Sequence, residues 1–172
     1  MKHTLSILVE NKPSVLSRIV GLFSRRGFDI KSLAVGETEN PRVSRVTITV
    51  GDDDNTENPD FVRTLEQIKK QLHKLIDIIR VKDFNGYESL SRELILVKVG
   101  YDTEDRRSNL ISIAEATKAK ISDITESTIT LELSGNKNKV RTFERLLKPY
   151  GIKELVRTGE IALQRGNTSL NA

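Results

Sequence analysis

The stretch Asn11-Lys12-Pro13-Ser14-Val15-Leu16-Ser17-Arg18-Ile19-Val20-Gly21-Leu22-Phe23-Ser24-Arg25-Arg26-Gly27-Phe28-Asp29-Ile30-Lys31-Ser32-Leu33 decides how the chain is read. Asparagine is a helix-capping residue, and proline is tolerated in a first helical turn, where its missing N–H costs nothing. Leu16, Ile19, Val20 and Phe23 then recur at helical spacing, with Arg18, Arg25 and Arg26 on the other side. Gly27 follows the last periodic residue and reads as the helix stop. The stretch is flanked by extended patterns. Leu5, Ile7 and Val9 alternate before it, and Ile30, Leu33 and Val35 open a strand at its end.

Working outward, Glu39-Asn40-Pro41 makes a turn and Val43 to Val50 is a strand rich in β-branched residues. Gly51 to Pro59 is an acidic loop. Phe61, Leu65, Ile68 and Leu72 mark a second amphipathic helix, and Leu75 to Val81 reads as a closing buried strand. Beyond a connector the order repeats. Ile95, Val97 and Val99 alternate, and Leu110, Ile113, Ala114 and Thr117 follow helical spacing. Ile121 to Thr125 and Thr128 to Leu133 are strands, Val140, Phe143, Leu146 and Leu147 mark a fourth helix, and Ile152 to Arg157 is a last strand. Strand-helix-strand-strand-helix-strand, twice, predicts an α+β protein of two ferredoxin-like βαββαβ sandwiches of about eighty residues each. The expected division is 1–82, a linker at 83–90, a second domain at 91–164, and a polar, loose tail at 165–172.

Each such module leaves one sheet face open and buries a limited core, so pairing with a second copy is the expected remedy. Gly21, inside a helix, fits a close approach of another backbone, and an ordinary exposed glycine explains it equally well.

The 172 residues contain no cysteine, which removes disulfides, thiolate nucleophiles and cysteine-based zinc sites together. Apolar runs fall far short of the ~20 residues of a membrane-spanning helix. The strand pattern begins at His3, leaving no room for a leader. That predicts a cytoplasmic protein, or one of the plastid stroma if encoded there. His3 and His73 are the only histidines and read as surface residues without a partner at metal-ligand spacing. Asp52-Asp53-Asp54 lacks the glycine and terminal glutamate of a calcium loop, and Gly135 to Lys139 is a polar strand-to-helix turn rather than a phosphate loop. No nucleophile, base or cofactor cradle emerges. A pI near 9.3 with a net charge of +4 is compatible with nucleic acid. However, no aromatic stands on the first or third strand, so a base-stacking platform is not expected.

One turn concentrates binding potential. A helix N-terminus presents unpaired N–H groups and partial positive charge, which together hold a carboxylate, and the N–H groups of Ser14 and Val15 would point at it. Asn11 and Asp29 are acceptors for an ammonium group, while Leu16 and Ile30 are aliphatic walls. Read alone, the same residues also describe a capped helix start and no more.

The stretch from Asn11 to Leu33 resembles the ACT domain of the acetohydroxyacid (acetolactate) synthase regulatory small subunit. Leu65-Glu66-Gln67-Ile68-Lys69-Lys70-Gln71-Leu72-His73-Lys74-Leu75-Ile76-Asp77 and Arg92-Glu93-Leu94-Ile95-Leu96-Val97-Lys98-Val99 are similar to that family as well, so the likeness spans nearly the whole chain. It implies a non-catalytic subunit that activates a large catalytic partner and makes it sensitive to valine, leucine or isoleucine. It implies no cofactor in this chain, with thiamine diphosphate, magnesium and FAD in the catalytic partner. The effector would lie between two ACT modules of a homodimer: Asn11, Ser14, Val15 and Leu16 from one subunit, Asp29 and Ile30 from its twin. Two positions depart from the family, Ser14 where glycine is common and Asp29 where asparagine is usual.

Overall fold

The computed structural model describes residues 3–51, 59–85, 88–167 and 169–170. They form two compact units, 1–90 with 160–172, and 91–159. Both follow the βαββαβ order.

In the first unit β1 (His3–Glu10), α1 (Val15–Arg25), β2 (Ile30–Glu37), β3 (Val43–Val50), α2 (Pro59–Leu72) and β4 (Ile78–Asp83) build an antiparallel sheet in the order β2-β3-β1-β4. Alternation sorts the side chains of β1. Leu5, Ile7 and Val9 meet Ile19 and Phe23 of α1 and Leu65, Ile68 and Leu72 of α2 in one core. Each is at most 3% exposed, and full burial of an aliphatic side chain is worth roughly 1.5–3 kcal/mol. The register Leu5↔Ile48 and Ile7↔Val46 keeps core residues opposite core residues.

The second unit repeats the plan with β5 (Ser89–Gly100), α3 (Glu104–Thr117), β6 (Lys120–Ile124), β7 (Thr128–Gly135), α4 (Lys137–Leu147) and β8 (Ile152–Arg157), in the sheet order β6-β7-β5-β8. Its core joins Ile95, Val97 and Val99 to Leu110, Leu131 and Phe143. The side chains of Thr103 and Asn136 cap α3 and α4, accepting from the N–H groups of Arg106 (3.3 Å) and Lys139 (2.9 Å). Gly135 to Lys139 is accordingly a capped strand-to-helix turn.

Several expectations are corrected. The fourth strand is Ile78–Asp83, not Leu75–Val81, and it is a sheet edge with Ile79 40% exposed. Leu75 to Asp77 form a turn in which Ile76 is 94% exposed, because the Asp77 carbonyl is held by the Glu10 N–H at 2.9 Å. Pro59 opens α2 rather than closing the acidic loop, and Asp52-Asp53-Asp54 lie outside the described residues. Of the expected linker, Asp83 ends β4 and Ser89-Leu90 begin β5.

The largest correction concerns the C-terminus. A ninth strand, β9 (Ile161–Gln164), pairs with β5, and it and the described residues after it cluster with the first unit rather than forming a loose tail. They lie on the sheet face opposite the helices, which is therefore not open. The Glu160 N–H donates to Ser32 Oγ at 2.7 Å, and Arg45 Nη2 to the Leu170 carbonyl at 3.1 Å. Ser6, Leu8, Thr47 and Thr49 of that face are each at most 3% exposed.

Candidate effector site

The turn between β1 and α1 is built by a backbone that few side chains accept. Ser14 has φ 67°, the left-handed region, and α1 starts immediately after it, with Arg18 N–H donating to the Ser14 carbonyl at 3.1 Å. The expected asparagine cap is not what begins the helix, and the Ser14 side chain does not cap it either. The N–H groups of the first turn therefore point out of the helix end with no side-chain acceptor from the cap. The positive φ of Ser14 favours glycine here and costs an L-residue about 1–2 kcal/mol.

Asn11 is fixed by three hydrogen bonds. Its N–H donates to the Arg42 carbonyl (2.7 Å), and its Nδ2 donates to Glu37 Oε1 and the Pro41 carbonyl (both 3.1 Å). With both amide hydrogens committed, the side-chain oxygen is left as an acceptor. Val15 is 3% exposed and belongs to the core, so only its N–H is offered to a ligand, whereas Leu16 is 38% exposed beside it.

Charges sequence reading did not find border the turn. Arg18 pairs with Asp77 at 2.6 Å, and Lys12 pairs with Glu10 and lies 3.8 Å from Asp77. The hydrogen bond that Lys12 donates to Glu10, and then the Glu10 charge, hold the Lys12 ammonium above its ordinary pKa. Asp77 is 8% exposed. Nothing in a sequence distinguishes such a carboxylate from a solvated one, because burial of Asp77 follows from the turn at the end of α2.

Asp29 and Ile30 are elsewhere. The Asp29 carboxylate is exposed and paired with Lys31 at 2.7 Å, and Ile30 is half-buried against the core. Ile30 stands opposite Val50, while Glu10 stands opposite Val43. Seven residues of β3 separate the two stretches, about 24 Å at the rise of an antiparallel strand. One chain keeps the six expected residues in two groups at opposite ends of the sheet.

His3 is also corrected: it is 3% exposed, not a surface residue. Its Nδ1 lies 3.4 Å from Asp83 Oδ2, its Nε2 lies 3.4 Å from Asn85 Nδ2, and its ring faces Phe61 at 5.7 Å between centroids. Burial pushes the Asp83 carboxyl up, but the contacts from His3, the Asn85 N–H and Lys69 hold it below the usual carboxylate range. The residues that define this cluster come from both ends of the module, so none announces itself in sequence. Among the described residues no helix is long and apolar enough to cross a membrane.

A βαββαβ module with a left-handed turn ahead of α1 and an unpaired edge strand beside it has the architecture of ACT domains. Residues 5–80 match the family model described as an AHAS small subunit-like ACT domain, and residues 92–166 match that of the small subunit of acetolactate synthase. A protein of Methanothermobacter thermautotrophicus named "Probable acetolactate synthase small subunit" is 44% identical over 168 residues, covering 98% of this chain and 95% of the relative. The acetolactate synthase small subunit of Mycobacterium bovis is 44% identical over 164 residues, covering 95% and 92%. The crystal structure of the acetolactate synthase small subunit from Thermotoga maritima superposes with a TM-score of 0.81 at 35% identity, over 98% of this chain and 99% of that one. The chain belongs to the acetolactate synthase small-subunit family.

Proposed function

We propose that the chain is a non-catalytic regulatory subunit. It docks on a catalytic acetolactate synthase subunit that carries thiamine diphosphate, magnesium and FAD, raises its activity, and imposes feedback inhibition by valine or another branched-chain amino acid.

The observation that carries the effector half is the bond from Asn11 Nδ2 to Glu37 Oε1. It ties the turn before α1 to the end of β2, while Asp29 and Ile30 sit at the start of the same strand. β2 is a sheet edge, and its outer backbone groups have no neighbour within the four-stranded order. Two copies pairing β2 against β2, antiparallel about a twofold axis, bring the start of one strand beside the end of the other. The twin's Asp29 and Ile30 then meet Asn11 and Leu16, and each dimer has two such sites. The effector carboxylate takes the N–H groups at the start of α1. Its ammonium takes the Asn11 side-chain oxygen and Asp29, and its aliphatic side chain packs between Leu16 and Ile30. The amino acid regulates only as far as it favours one arrangement of the dimer, and such couplings run about 1–3 kcal/mol.

The test is the full chain with a catalytic acetolactate synthase subunit, assayed with and without valine. Valine is expected to raise the melting temperature of the chain alone, and Asn11→Ala to remove that shift. Absence of any shift with millimolar valine, leucine or isoleucine would discard the sensor role. Failure to co-purify with or stimulate the catalytic subunit would discard the subunit role.

A further inference from the structure

The turn between α2 and β4 inverts the usual order of burial. Ile76 is 94% exposed while its neighbour Asp77 is 8% exposed, although isoleucine gains by leaving water and a carboxylate loses its hydration. The backbone fixes the inversion. Ile78 N–H donates to the Leu75 carbonyl at 3.1 Å, and Glu10 N–H to the Asp77 carbonyl at 2.9 Å. The buried carboxylate meets Arg18, whose Nη2 lies 2.6 Å from Oδ2, and Lys12 Nζ lies 3.8 Å from Oδ1.

Both cations belong to the turn before α1. Lys12 stands two residues ahead of Ser14, and Arg18 closes the first turn of α1 by donating its N–H to the Ser14 carbonyl. Asp77 therefore draws in a cation from each side of the left-handed residue. Glu10 also takes Lys12, so the two carboxylates Glu10 and Asp77 balance the two cations Lys12 and Arg18. Glu37, accepting from Asn11 Nδ2, adds a further carboxylate beside the turn. Arg18 is half-exposed, and a guanidinium at a helix start attracts any carboxylate. Coulomb attraction falls with distance, so the carboxylate already at 2.6 Å holds it first.

We propose that Asp77 sets the ligand class of the effector site: by holding Arg18 it makes the turn select a zwitterionic amino acid over the same acid without its amino group. The inference rests on the effector reading given above. In that reading the ligand carboxylate takes the N–H groups of α1, which carry only partial charge. An ammonium brings its own positive charge to the acceptors Asn11, Asp29 and Glu37 gather. An acid lacking it adds an uncompensated negative charge to a turn whose cations are engaged, and like charges disfavour it. Asp77 is a positioning residue, since it acts through Arg18.

The test is calorimetric titration of the full chain with valine and with isovalerate, which is valine without its amino group. The unmodified chain is expected to bind valine more tightly by about tenfold or more. Asp77→Asn takes the carboxylate charge away from Arg18 and should narrow that ratio about tenfold by tightening isovalerate. Arg18→Gln, at a half-exposed position, leaves the Asp77 charge in place and should widen the ratio. It keeps the test decisive if Asp77→Asn does not fold. Opposite signs from the two ends of one ion pair are the signature, because a pair that only supports the fold gives the same change from either end. The double variant should return to the ratio of the unmodified chain. Valine bound as expected, with the variants moving the ratio the same way or not at all, would overturn this inference alone. No binding of valine to the unmodified chain would overturn the effector reading and this inference with it.

Discussion

Ser14 carries a backbone conformation that its side chain disfavours, and the turn depends on it. At φ 67° a glycine relaxes the strain, although it also loses more freedom on folding. Ser14→Gly is expected to leave stability equal or up to about 1 kcal/mol higher and to open the approach to the N–H groups of α1. Ser14→Val, β-branched, should cost about 2 kcal/mol. Urea unfolding of the three proteins checks both signs, and a neutral valine would mean the turn is not left-handed. The identity of this residue was readable from the sequence as a departure from glycine. Its reason was not, since φ at one residue is set by where the strand ends and the helix must begin.

At the scale of elements, period-2 and period-3.6 patterns located seven of the strands and all four helices, because most of these elements bury one face against the core of their own unit. The failures are instructive. Leu75-Ile76 looked like strand, yet a turn exposes Ile76 so that Asp77 can meet Arg18 and the Glu10 N–H. Apolar character says that burial is favourable, not that it occurs. β2 is the element on which the proposed dimer depends, and Val35, 49% exposed along it, is placed to test that. Val35→Asp adds a charge to each copy of the edge. It is expected to shift the chain from dimer to monomer in sedimentation velocity without changing the circular dichroism. An unaltered sedimentation coefficient would move the interface elsewhere.

At the scale of the whole molecule, the C-terminal segment is part of the first unit. A chain ending at Gly159 loses the hydrogen bonds to Ser32 and Arg45 and the burial of Ala162, and uncovers Leu8 and its neighbours. It is expected to lose ~2 kcal/mol or more of stability in the first unit and to bind a hydrophobic dye. Equal stability with and without the segment would make it an ornament of the sheet.

By itself the sequence determined two βαββαβ modules and the position of the turn before α1, with Asn11 and Ser14 in it. These are local consequences of periodicity, capping and turn chemistry over a few residues each. Only the tertiary structure decided that Asn11 is anchored to Glu37, that His3 and Asp77 are buried, and that a polar C-terminal stretch covers a sheet face. Those outcomes join residues dozens of positions apart, through backbone hydrogen bonds and burial that leave no periodic trace along the chain.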